Sequence, residues 1–215
     1  VELVVGAGLL CLVIGIFSAS LRPAAEVSRR TQELNSAELI ADDLLETVRS
    51  KVETATDYIK CYDNGADVTN KTGSSEGSAI EFGYETEQGY NAAELLTADG
   101  CGPTKIVIAD KDSGEQPRVE KGYLVERYYK DGYSQDADGN PIARAMTKTY
   151  AEGFYMGLRA GLHFKIDEAK HTVTATVTIY RDKDLTDKIY SDSLIIDLRY
   201  DISVKTGVTA TKKPA

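Results

Sequence analysis

Residues 3–21 (LVVGAGLLCLVIGIFSASL) form an apolar run without a single charged side chain. At a helical rise of about 1.5 Å per residue the run covers roughly 28 Å, close to one bilayer core. It reads as a helix of transmembrane length. An acidic residue, Glu2, stands directly before it, and no basic residue precedes that. A carboxylate beside so much apolar surface is costly to bury unless a partner awaits it.

Within the run Ala7, Cys11, Gly15 and Ala19 recur every four residues. A stripe of small residues lets helix backbones approach closely in an apolar medium; the alternative is the ordinary small-residue content of membrane helices. Arg22 and Pro23 close the run, and Pro23 is expected to kink the helix or cost it a hydrogen bond. Helical periodicity then continues to about residue 60. Val27, Leu34, Ala41, Val48 and Ala55 fall seven apart, and Leu44, Leu45, Val52 and Ile59 widen the stripe. The opposite face carries Arg29, Arg30, Glu33, Glu38, Asp42, Asp43, Glu46 and Arg49. The stripe is narrow before residue 41 and broad after it, so the first half should project and the second half should pack on a domain.

Residues 61–103 are rich in Gly, Asn, Ser and Thr. They read as a long irregular excursion with at most short strands around 80–84. From 104 onward strand patterns alternate with turns, at 105–109, 123–130, 142–150, 154–166, 172–181 and 189–200. The cleanest alternation puts Val173, Ala175, Val177 and Ile179 on one face, and a short polar turn joins this strand to its predecessor as a hairpin. Such a sheet needs cover, and the stripe on residues 41–59 supplies it. The expected class is therefore α+β: a long helix, with an apolar stem and an amphipathic half, packed on an antiparallel β-meander head. The segments are 1–23 (apolar helix), 24–60 (amphipathic helix), 61–103 (loop region), 104–205 (sheet head) and 206–215 (a frayed polar tail).

The formal net charge of -9 argues against nucleic acid or an anionic lipid surface as the main partner. Catalysis finds little support. The two histidines, His163 and His171, lie in or beside strand patterns without a nucleophile motif, and no phosphate-binding, dinucleotide or zinc-hydrolase signature occurs. No cofactor or metal is expected. Asp136, Asp138 and Asn140 open like a calcium loop, but Thr147 stands where its bidentate Glu belongs, so a turn is the better reading. The sequon at Asn70 reads as chance. Cys61 and Cys101 are candidates for one disulfide in an oxidising compartment, where closing about 40 residues would contribute roughly 4 kcal/mol; two free thiols is the alternative.

An apolar helix opening Val1-Glu2-Leu3-Val4-Val5, a proline near its end, an amphipathic extension, a loop and an antiparallel sheet together resemble a type IV pilin or pseudopilin. The family's mature start reads Phe-Thr-Leu-(Val/Ile)-Glu-Leu, and this sequence matches its second half. The simplest expectation is that the family's first residues lie upstream of Val1. The likeness is specific over residues 1–25, architectural over 26–60 and weak beyond. The last strand, with its LIIDLRY ending, is similar to those of Gram-positive minor pilins.

The resemblance implies a leader removed by a prepilin peptidase, methylation of the new terminal amine, storage in the cytoplasmic membrane and handling by a pilus assembly machinery. It implies that Glu2 pairs with the terminal amine of a neighbouring pilin subunit in an apolar filament core. Ala7, Cys11, Gly15, Ala19 and Pro23 then belong to the assembly surface. Arg22, Arg29 and Arg30 run against the positive-inside rule; a basic leader would restore the orientation and place residues 22–215 outside. Two rivals are a secretory signal peptide cleaved near Ser18-Ala19-Ser20 and a signal anchor for an extracellular binding domain that never polymerises. The residues upstream of Val1 discriminate among them.

Overall fold

The computed structural model describes residues 2–56, 58–63, 66–68, 75–86, 89–97, 122–130, 134–135, 141–142, 145–148, 150–199 and 203–204. Its elements in chain order are α1 (Glu2–Val52), β1 (Tyr58–Asp63), β2 (Ala66–Asp67), β3 (Ser75–Gly77), β4 (Ala79–Thr86), β5 (Gly89–Thr97), β6 (Leu124–Lys130), β7 (Ser134–Gln135), β8 (Pro141–Ile142), β9 (Ala145–Lys148), a 3-10 turn (Glu152–Tyr155), β10 (Arg159–Asp167), β11 (Thr172–Tyr180), β12 (Lys188–Asp197) and β13 (Ser203–Val204). The class is α+β: one long helix with mainly antiparallel sheets.

Helix α1 runs unbroken for 51 residues through Pro23. It stops at Val52, earlier than the periodicity predicts. The Thr54 amide and hydroxyl both turn back to the Lys51 carbonyl, at 3.0 and 2.6 Å, and the Ala55 amide bonds the Val52 carbonyl at 3.0 Å. These bonds satisfy carbonyls that a helix end leaves open. Arg49 and Lys51 in the last turn complement its dipole. Ile59, expected on the helical stripe, belongs instead to β1.

The larger sheet has the order β13-β1-β4-β5-β6-β9, with β2 paired to β1. The smaller sheet has the order β12-β11-β10-β3, and β7 and β8 pair separately. Among the described strands only the β1–β13 pair is parallel. The expectation of at most short strands across 61–103 is corrected here: β4 and β5 form an antiparallel hairpin with Ala79 opposite Leu96 and Thr86 opposite Gly89. The strand expected over 142–150 divides into β8 and β9, and the first residues of 154–166 form the 3-10 turn. Residues 105–109, 136–140 and 206–215 and the sequon at Asn70 lie outside the described residues.

The chain changes sheets between β3 and β4, at Ser78. There the Gly77 backbone lies against the Tyr62 carbonyl; a Cβ on Gly77 would stand 2.3 Å from that oxygen. Glu81, the central polar residue of β4, is fully buried. The hydroxyls of Tyr58 and Tyr62 donate to its two carboxylate oxygens at 2.5 and 2.8 Å, the kind of satisfaction a buried carboxylate requires.

In β11 the alternation holds along its length, with Val173, Ala175, Val177 and Ile179 all fully buried. On its other face Thr176 and Thr178 each share a 2.9 Å hydrogen bond with Ser193 and Ser191 of β12. Helix α1 packs on β11 and β12, and its Ala37, Ile40, Ala41, Leu44, Leu45, Val48 and Val52 join the same core cluster. Five of these are large aliphatic side chains, so at about 1.5–3 kcal/mol each their burial contributes roughly 8–15 kcal/mol before entropy.

Leu44 has no exposed surface, and Leu44→Ala is expected to cost about 2–5 kcal/mol in denaturant unfolding of the full chain in detergent. Gly77→Ala should destabilise by at least about 2 kcal/mol, because backbone must move to admit the methyl; an unchanged transition would show that the two sheets do not meet as described.

Candidate functional site: the uncovered helix and its neck

The same helix that supplies the core stands bare at its other end. Its most apolar 18-residue window has a mean hydropathy of 1.7, and none of it is buried. Leu9, Leu10, Leu12, Val13, Ile14, Ile16, Phe17 and Leu21 are all more than half exposed. By length and composition this helix can cross a membrane. Val27 and Leu34 carry the apolar pattern on but are 64% and 44% exposed, so the sheets take over only from Ala37.

Glu2, Ala7 and Ala19 lie on this helix, and their side chains fall outside the described residues. Cys11, Gly15 and Pro23 are exposed on it, and a Cβ added at Gly15 would meet nothing within 4 Å. Of the stripe of small residues, the described members Cys11 and Gly15 are exposed and uncovered by the head. Cys61 is fully buried, with Sγ 3.9 Å from the Phe164 carbonyl oxygen; Cys101 lies outside the described residues. His163 is exposed on β10, and His171 takes a positive φ of 53° in the β10–β11 turn.

Where the helix leaves the head, the β11–β12 turn holds it. Arg181 donates to both carboxylate oxygens of Glu33, from Nε at 2.7 Å and Nη2 at 3.2 Å, and Nη1 pairs with Asp187. Arg181 lies 148 residues from Glu33 in sequence; nothing local in the sequence signals this pair. Its hydrogen bonds hold the Glu33 carboxyl below the usual carboxylate range, and Glu33 in turn raises the Arg181 guanidinium.

The turn itself is organised by Asp182. Its Oδ1 accepts from the amides of Thr186 and Asp187, at 3.0 and 2.7 Å, and its Oδ2 accepts from the Thr186 hydroxyl at 2.6 Å. The Thr186 hydroxyl bond and the Asp187 amide bond lower its pKa to about 2. At the far end of the docked segment, Glu53 receives Arg49 at 2.8 Å and Arg199 at 2.5 Å. Between these ends Thr47 shares a 2.8 Å hydrogen bond with Tyr150. Tyr150 stacks on Phe154 with centroids 4.0 Å apart. Phe154 meets Tyr155 edge-on, and the buried Tyr155 hydroxyl accepts the Leu124 amide at 3.0 Å. Burial pushes that phenol up to about 12.

No family model, curated protein or solved structure matches this chain.

A carboxyl whose folded pKa is depressed adds stability above its unfolded pKa and loses it as pH falls toward the folded value. Protection of the Thr186 and Asp187 amides, corrected for intrinsic exchange, should therefore hold down to about pH 4 and be lost toward pH 2. A midpoint near 4 would mean that Asp182 does not organise the turn. Arg181→Ala removes an exposed ion pair, which is worth little to stability, and should leave the helix docked. Undocking of the helix from the sheets on that single change, seen as exchange of the Ile40–Val48 amides, would contradict the dominance of apolar burial.

Proposed function

We propose that this chain is a structural subunit of a type IV pilus or a related filament, a minor pilin or pseudopilin of a Gram-positive bacterium. Residues 1–23 hold it in the membrane before assembly and enter the filament core afterwards, with the head displayed outside the cell. The observation that carries this reading is the division of one unbroken helix: the described side chains of its apolar leading part are all exposed, while its last turns are core of the head.

The physical argument starts from what the uncovered part demands. An apolar rod of this length is stable only in lipid or against other apolar rods. In lipid, hydrophobicity alone does not favour helix association, so close packing of small residues supplies the contact; Ala7, Cys11, Gly15 and Ala19 offer it. Glu2 supplies register. Among apolar helices a carboxylate is penalised until it meets a cation, and an amine of the adjoining subunit meets that need. The partners are accordingly other pilin subunits through the helix, the membrane before assembly, and a prepilin peptidase with its assembly machinery. The proposed role is mechanical and calls for no cofactor.

Glu2→Ala is expected to leave the protein in the membrane fraction and to deplete it from sheared filaments by at least tenfold, since an amine left unpaired in an apolar core costs roughly 3–5 kcal/mol. Recovery of the variant in filaments at the wild-type level would remove the role given to Glu2. Confinement of the wild-type protein to the membrane, in cells bearing filaments, would favour the signal-anchored binding domain.

A further inference from the structure

We propose that the outer edge of β12 receives residues 208–213 of a second copy of this chain as an added antiparallel strand. β12 closes one side of the smaller sheet: β11 flanks it, and among the described residues no strand lies beyond it. An open edge offers a row of backbone N–H and C=O groups to another strand. On the solvent face of β12 Ile195 is 65% exposed. Its core side carries Asp192, which stands opposite the fully buried Val177 of β11 and accepts the adjacent Ser193 amide at 2.7 Å. The phenol of Tyr190, next on that side, is raised by burial and then by the charges of Asp192, Glu38 and Asp42. Three carboxylates thus gather along the edge, and none of them has an ion-pair partner among the described residues.

The sequence supplies a strand that fits. Val208-Thr209-Ala210-Thr211 repeats Val173-Thr174-Ala175-Thr176, the stretch of β11 that lies opposite Ile196, Ile195, Leu194 and Ser193. Set against the other edge of β12 in the same register, Val208 and Ala210 extend the apolar rows of Ile196 and Leu194. Thr209 comes beside Ile195, a β-branched pair of the kind that stabilises neighbouring strands. The next residue departs from β11. Where β11 has Val177 opposite Asp192, the segment has Lys212. A cation is thereby brought to Asp192, on the side where Glu38 and Asp42 also act. Pro214 ends the strand in the row of Tyr190, and the β11–β12 register itself shifts between Tyr190 and Lys188.

The strand comes from a second copy. Within one chain Val208 follows Val204 by four residues, at most about 14 Å. β13 holds Val204 beside Ile59 on the larger sheet, which β12 does not join. A neighbour's segment is under no such restraint. Each copy then gives one strand and receives another, a head-to-tail contact of the kind that builds open filaments.

This inference deepens the filament reading and rests on it, but its test uses purified protein. Asp192→Lys and Lys212→Glu are made separately in the full chain, and association in nonionic detergent is followed by native mass spectrometry. Each variant alone sets like charges against each other in the added strand and should associate at least about tenfold more weakly than the wild type. An equimolar mixture of the two restores opposite charges across the contact and should recover most of the loss. Recovery on mixing, rather than in a chain carrying both changes, is what a second copy requires. Lys212 lies outside the core of the head, so Lys212→Glu reports on the contact even if Asp192→Lys unfolds. Wild-type association that Lys212→Glu leaves unchanged overturns the proposal, as does a mixture no stronger than its components. Exchange protection of the Thr209–Thr211 amides in a chain that stays monomeric would give the edge to the chain's own segment and overturn the second-copy assignment. None of these outcomes depends on entry into filaments in cells, so the two readings fail separately.

Discussion

The structure depends on burial of one face of α1, from Ala37 to Val52, against the smaller sheet. Ala37 and Ala41 bring the helix close to the strands, and Ile40, Leu44, Leu45, Val48 and Val52 fill the space between. That burial, roughly 8–15 kcal/mol gross, outweighs the exposed ion pairs at its two ends, which solvent screens. Glu33 and Glu53 stand 20 residues apart, about 30 Å along the helix. Arg181 holds the first and Arg199 the second. Their work is to set where the docked segment begins and ends, while apolar contact decides that it docks at all.

Much of this was legible in the sequence because it is local. The period of two in β11 and its turn from β10 predict the hairpin, and the pattern around Leu44 and Val48 predicts the docked helix. The misreadings share a physical cause. Ile59 falls seven residues after Val52, so it extends a helical stripe on paper; yet Thr54, Thr56, Tyr58 and Ile59 are residues that favour extended backbone, and the Thr54 hydroxyl closes the last turn. The β4–β5 hairpin was hidden by polar composition. A buried Glu81 looks like loop sequence until Tyr58 and Tyr62, from the neighbouring strand, provide its two donors.

The neck was not legible. Arg181 and Lys188 bracket an ordinary polar turn, and Arg29, Arg30 and Glu33 look like a solvated helix face. Only the fold brings them together. The formal net charge averages over the whole chain and conceals the order along α1, which is apolar at one end, mixed in charge at the neck and acidic above it.

That order along one helix has a mechanical consequence. A load on residues 2–21 passes into the head through a continuous helix, with Pro23 as the one position where a backbone amide is missing. The pair at Glu33 is the first tie it meets, and the pair is exposed, so it yields before the core does. Residues 22–36 can then change direction while Ala37–Val52 stays packed, since bending there breaks an ion pair and leaves the apolar burial intact.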